Sequence, residues 1–277
     1  MKAPELSIQS TEQLLKGIVI PPRPTILQDV DSELNKPDTN LITVAALVAK
    51  DVGLSASILK TLNSPFFGLS TKVSNVSHAI QLLGAKNLKN IVTGLVLRTT
   101  FSGQNLERFW DTAEKVASIN ALICTRLPRM PKEDAYLLGL FHDVGLPMLM
   151  QRIPEYRETL KQASSFNGSI TDFEEQQHAT NHATVGFIIA RSWGVSDSIA
   201  QAILYHHAPH ILGEDLKFQP LVQTLVAVNF IGEHLHESAL RMRSSTHWET
   251  YGDLVCDYLG LSLNDFAELE EDVCSLV

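Results

Sequence analysis

Apolar residues recur at helical spacing along almost the whole chain. No stretch alternates apolar and polar residues between turn signals, so the expected fold class is all-α. "TILQDVDSELN" puts Ile26, Leu27, Val30 and Leu34 on one side, after prolines 21, 22 and 24 have broken a short helix opened by Ser10/Thr11. "NLITVAALVAKDVGLSASILKTLNS" reads as two helices broken near Asp51–Gly53, and "VSNVSHAIQLLG" ends on Gly84 as a C-cap. "KNLKNIVTGLVLRTTF", the long "LERFWDTAEKVASINALICTRL" and "KEDAYLLGLFHDVG" follow. Further helices are expected around 153–165, 181–193, 196–206, 220–236, 249–259 and 263–276, with caps at Ser196 and at Ser262 with Asp265.

The polar break Ser102–Asn105 divides one module of 1–277 into an N-terminal helical lobe of about 1–103 and a second lobe of about 104–277. With 277 residues and 44% hydrophobic content, the chain can bury a large core. Its 22 basic residues face 31 acidic ones, a net charge of -9, and no basic stripe or tail stands out. Nucleic-acid binding by phosphate neutralisation is therefore not expected. Cys124, Cys256 and Cys274 are scattered, without CxxC spacing, and are read as small buried hydrophobes in a reducing compartment. No signal-peptide core or charge-free membrane-length run is present, so a cytoplasmic location away from membranes is expected.

"LLGLFHDVGLPMLM" sets His142 and Asp143 inside an apolar run, where a charge is costly unless paired. Candidate partners follow at His178, His182, His206, His207 and His210. His178 and His182 share a face if one helix carries both. His206 and His207 point about 100° apart on a helix and reach one cavity only if its end frays, which Pro209 favours. Two readings of His142, Asp143, His182 and His206 stand side by side: a nitrogen–oxygen site for a first-row divalent metal, or a buried network that satisfies itself. His178, His210, His234, His236 and His247 are read as surface or packing residues.

Several ordered stretches resemble a known family. They are "IPPRPTILQDV", "VAKDVGLSASILKTLNSPFFGL", "VSNVSHAIQLLGAKNLKNIV", "LLGLFHDVG" and "NHATVGFIIARSWGVSDSIAQAILYHHAPH". Together, over roughly 18–235, they are similar to the HDOD family (HD-related output domain) of bacterial signalling proteins. The resemblance implies a multi-helix bundle of the HD-domain type with an N-terminal helical lobe, akin to HD and HD-GYP metal-dependent phosphohydrolases. Those enzymes read His, His-Asp, His, His-His and Asp around two metals. Matched to that order, this chain keeps His142, Asp143, His182, His206 and His207. It has Thr112 for the first His, Leu146 for a frequent Lys, and Asn229 for the last Asp. One half-site keeps only His142 and Asp143. The other keeps Asp143, His182, His206 and His207, a set adequate for one Zn, Fe, Mn or Ni ion.

The resemblance thus implies a non-catalytic signalling module with a degenerate HD site. Its expected partners are receiver, kinase or cyclic-dinucleotide domains, or a second copy of the chain. No cofactor is expected to be required. Pro65, Phe66, Phe67 and Leu69 are candidates for an exposed apolar face, the alternative being that the loop packs back onto its own lobe, as is expected of at least one of the phenylalanines. The alternative is a phosphohydrolase working with a reduced one-metal site, with Arg126 and Arg191 folded close enough to hold phosphate. A third reading is a ligand sensor binding in the interlobe cleft.

Overall fold

The computed structural model describes residues 20–101, 106–128, 130–163, 166, 168–213, 217–241 and 246–276. Among them the chain is helical with no strand. The helices are α1 (Thr25–Leu34), α2 (Leu41–Ala49), α3 (Val52–Leu62), α4 (Val76–Leu83), α5 (Ala85–Thr100), α6 (Glu107–Arg126), α7 (Lys132–Phe141) and α8 (Gly145–Arg152). They continue with α9 (Tyr156–Ala163), α10 (Ile170–His178), α11 (His182–Ser192), α12 (Asp197–Tyr205), α13 (Pro220–Arg241), α14 (Thr246–Leu259) and α15 (Leu263–Leu276). Short 3-10 turns occupy Pro65–Phe67 and Pro209–Gly213. The expected helix after Ser10/Thr11 and the break at Ser102–Asn105 lie outside the described residues.

The first five helices pack on one another, and α5 lies against α7. Helix α7 is the hub. It also touches α6, α12 and α13, and every residue from Glu133 to Phe141 is buried. Gly139 makes that closeness feasible: a Cβ there would stand 2.4 Å from the Ala117 Cα of α6. Helix α13 then packs on α6, α7 and α12, and α14 and α15 dock onto α13. One buried cluster runs from Leu27 in α1 to Val273 in α15. Trp193 sits within it, against the rings of Phe101 and Phe141, and its Nε1 donates to the Pro21 carbonyl at 3.0 Å.

Local chemistry explains the boundaries. Asp51 makes the α2–α3 break, within the expected 51–53, because its Oδ1 accepts from the Leu54 N–H at 2.9 Å and starts α3. Gly84 takes φ +80°, a conformation costly for other residues, and its N–H closes α4 on the Ile80 carbonyl. Ser262 and Asp265 form a reciprocal capping box at α15, whereas Ser196 stands at its helix start without a side-chain cap bond.

Three sequence expectations change. Phe67 is buried edge-on against Tyr136, and Phe66 and Leu69 pack partly on the core, so the Pro65–Leu69 loop is not an open apolar face. Only Cys124 is fully buried. Cys256 is half-buried and Cys274 exposed, because α15 turns that position outward. Arg126 pairs with Glu268 and Asp272, and Arg191 with Asp197, so both are held elsewhere by carboxylates. No single helix among the described residues is long and apolar enough to cross a membrane.

Candidate metal centre

Three helix ends deliver imidazoles to one point, and each arrives with its tautomer set. His142 caps the C-terminal end of α7, and its Nδ1–H donates to the Gly139 carbonyl at 2.7 Å. His206 caps α12 in the same way, with Nδ1–H donating to the Ile203 carbonyl at 2.7 Å. His182 opens α11, where Asn181 caps the helix by accepting from the Thr184 N–H. Its Nδ1–H donates at 2.7 Å to Glu174 Oε2, which also accepts the His182 backbone N–H at 2.9 Å. Carbonyls only accept, so Nδ1 carries the hydrogen in His142 and His206. Their Nε2 atoms face inward, and the His182 carboxylate partner sets the same orientation.

The inward atoms meet around Asp143. His182 Nε2 and His206 Nε2 are 3.3 Å apart. Asp143 Oδ1 is 3.3 Å from the first and 3.6 Å from the second. His207 follows directly where α12 stops, its ring centroid 4.1 Å from that of His206. One ligand atom each from Asp143, His182, His206 and His207 lies within 4.8 Å of the others. Two Nε2 atoms at 3.3 Å need a proton or a metal ion between them: without metal, His182, raised by Glu174 and Asp143 against its burial, donates Nε2–H to neutral His206. Ligands at about 2.1 Å from a tetrahedral ion stand about 3.4 Å apart, so this set fits one divalent ion. A bound ion would supply Lewis-acid charge and tie α7, α11 and α12 together.

Gly145 explains how α8 leaves the pair so closely. A Cβ there would lie 2.1 Å from the His182 carbonyl oxygen, so only glycine lets the start of α8 meet the start of α11. Positions 178 and 182 do not share a helix. Helix α10 ends at His178, Ala179 turns with φ +55°, and His178 pairs with Thr159 Oγ1 at 2.9 Å.

One residue outside the HD order enters the other half-site. Asn229 on α13 accepts from Asn120 Nδ2 at 2.9 Å and donates to Glu233 Oε1 at 2.8 Å. That Glu233 oxygen lies 3.5 Å from His142 Nε2, and Asp143 Oδ2 lies 3.4 Å from it. Glu233 and Glu174 were not legible as site residues. Glu233 falls one helical turn beyond Asn229. Glu174 rides on α10, whose start is signalled only by Ser169, which accepts from the Thr171 N–H. Tyr156 fixes Glu174 in turn by donating to Oε1 at 2.5 Å.

The buried charges settle one another. Burial works against ionised Asp143, but His142, His206 and His182 outweigh it and hold the carboxyl well below its usual range. Burial also opposes protonated His142, yet Asp143 and Glu233 push it up to about 9. Burial lowers His206 to about 4, and raises Glu233 to about 7.

A cavity of about 510 Å³ opens beside the cluster. Thr112, His142, Asp143, Leu146, His182 and His207 form its floor, and Phe230, Glu233, Glu237 and Trp248 line it from α13 and α14. His234, His236 and His247 line it too, and His234 stacks on Trp248 at 3.8 Å. No Lys or Arg is among the described lining residues. The cavity lies within the helices after α5, not between the lobes.

The HDOD domain family matches residues 20–209. An HDOD domain protein from Geobacter sulfurreducens is 23% identical, with a TM-score of 0.67 and 99% of both chains covered. A putative phosphohydrolase from Shewanella amazonensis is 18% identical, with a TM-score of 0.70 and 96% and 94% covered. The cyclic di-GMP phosphodiesterase CdgJ of Vibrio cholerae is 23% identical over 176 residues, 60% of this chain and 40% of its own. The chain spans about two-fifths of the length of the first curated relatives it matches.

Proposed function

Because this chain belongs to the HDOD family, related to the HD phosphohydrolases, we propose that it is a signal-transduction module that binds protein partners and does not hydrolyse phosphoesters. The cavity wall carries this reading. Transferring a phosphoryl group needs fixed positive charge around its oxygens. Here the described lining has Leu146 and Thr112 where the HD order implies a frequent Lys and a His, and it adds the carboxylates of Glu233 and Glu237. The ion-ready cluster of Asp143, His182, His206 and His207 then acts as a clamp on three helix ends. Partner binding finds support in the N-terminal helices, where Ile42 and Val52 are 79% and 80% exposed at the starts of α2 and α3. Receiver, kinase or cyclic-dinucleotide domains, or a second copy of the chain, are the proposed partners.

A reduced metal-dependent phosphodiesterase is the second reading, favoured by the ligand atoms of Asp143, His182, His206 and His207 gathered within 4.8 Å of one another. One assay separates the two. The chain is loaded with Mn²⁺, Ni²⁺ or Zn²⁺ and given bis(p-nitrophenyl) phosphate and cyclic di-GMP. The expected result is no turnover above that of the Asp143→Ala variant. Metal-dependent turnover that disappears in both Asp143→Ala and His182→Ala would overturn the proposal and establish the second reading.

A further inference from the structure

We infer that a groove beside helix α8 docks an acidic, partly apolar segment of another protein. This rests on the reading of the chain as a partner-binding module, and it names the face used and the chemistry of the partner. The groove has a volume of about 530 Å³. Leu106 and Phe109 line it at the start of α6, Pro147 and Met150 on α8, and Leu160 on α9. All but Pro147 are only half-buried, so apolar surface is left in contact with water. Arg108 and Arg157 complete the lining, both exposed, and no carboxylate is among the described lining residues.

The arginines set this groove apart. Arg23, Arg98, Arg126 and Arg191 each pair with a carboxylate of the chain itself. The side chains of Arg108 and Arg157 have no hydrogen-bond or ion-pair partner among the described residues. Neither has that of Arg152, two residues after Met150 at the end of α8. The chain holds 31 acidic residues against 22 basic ones, so carboxylates are in excess. Arginines that still find none are charges left to be met from outside.

This composition selects the occupant. A guanidinium grips a carboxylate with two parallel N–H donors, and arginine, methionine and aromatic residues are enriched where proteins meet. The two cations call for Asp or Glu, and the apolar surface of Phe109, Met150 and Leu160 calls for an anchor such as Leu or Phe. A free phosphate would leave that apolar surface uncovered, and an anionic bilayer would meet the chain's net charge of -9. Helix α9 gives Arg157 and Leu160 to the groove, and its Tyr156 holds Glu174, the carboxylate bonded to His182. The docking face and the ion centre thus share one helix.

The test is selection from a random peptide display library on the full chain, followed by anisotropy titration of the selected peptides labelled with fluorescein. The sequences should be rich in Asp and Glu next to Leu, Phe or Met, and should bind more weakly as salt rises. Arg108→Ala combined with Arg157→Ala should weaken them about 10-fold or more, with an unchanged urea midpoint. Arg108→Glu combined with Arg157→Glu should bind peptides whose acidic residues are replaced by lysine. Selected peptides without acidic residues, or with affinities that the double alanine variant leaves unchanged, would overturn the groove and leave partner binding elsewhere on the chain standing. An equal loss in Lys50→Ala, at the α2–α3 break, would overturn it too. Selection of no peptide would overturn the groove and remove this support from the partner-binding reading. Arginine-dependent binding to phosphatidylglycerol vesicles, or arginine-dependent self-association in sedimentation equilibrium, would give the groove a different occupant and overturn the proposed segment.

Discussion

At the scale of single residues, the centre is defined by which ring nitrogen carries hydrogen. His142, His182 and His206 each give Nδ1–H to a fixed acceptor, so their Nε2 atoms face one another and Asp143. In the chelator-treated chain this arrangement sets a pH dependence. His142 is raised to about 9, so the stability it contributes is complete below about 6.5 and is lost as pH rises toward 9. His206 is lowered to about 4, so the folded state keeps it neutral while the unfolded chain protonates. The stability it contributes is present above about 6.5 and is lost as pH falls toward 4. Urea unfolding in the presence of chelator is expected to show a maximum midpoint near pH 6.5–7 and to decline on both sides. A midpoint rising monotonically across this range would contradict the opposite shifts of His142 and His206.

Helices are positioned by their ends, and here the ends carry the chemistry. His142 and His206 cap the C-terminal ends of α7 and α12, and His182 is the first residue of α11, where the backbone enters or leaves the helix and the side chain can turn inward. Helix α10 serves the same centre by bringing Glu174 under His182. Glu174→Gln keeps the shape but removes the charge that holds the His182 Nδ1–H. The variant should fold and bind its ion 10- to 100-fold more weakly, read by competition with a metal indicator. Unchanged affinity would show that Glu174 serves packing alone. This helix was missed by periodicity because "TDFEEQQH" is polar on nearly every side. The Ser169 cap was its one local signal.

For the whole molecule, the question is whether the two sets of helices behave as one body. The buried cluster runs through both, and Trp193 ties them, with the rings of Phe101 at the end of α5 and Phe141 of α7 around it and its Nε1 on the Pro21 carbonyl. Calorimetry should therefore show one transition. Trp193→Ala should lower it by about 3–5 kcal/mol of stability without splitting it. Two separate peaks in wild type would show that the lobes unfold independently.

Much of this was legible before any coordinates. Helical periodicity is a local property, since each amphipathic segment shows which face must be buried. That is why the helical class, the Gly84 stop and the Ser262–Asp265 box could be read directly. His142 and Asp143 announced themselves because charge in an apolar run demands a partner. Which partners arrive depends on packing between residues far apart in the chain. Only the tertiary structure brought Glu174 to His182 and Glu233 to His142, and only it tied Arg126 and Arg191 to carboxylates away from the cavity. It also folded Phe67 back onto Tyr136. The sequence by itself determined the helices and the residue types at their ends. The direction of each lone pair was decided by the neighbour packed behind it, and that neighbour is set by the fold.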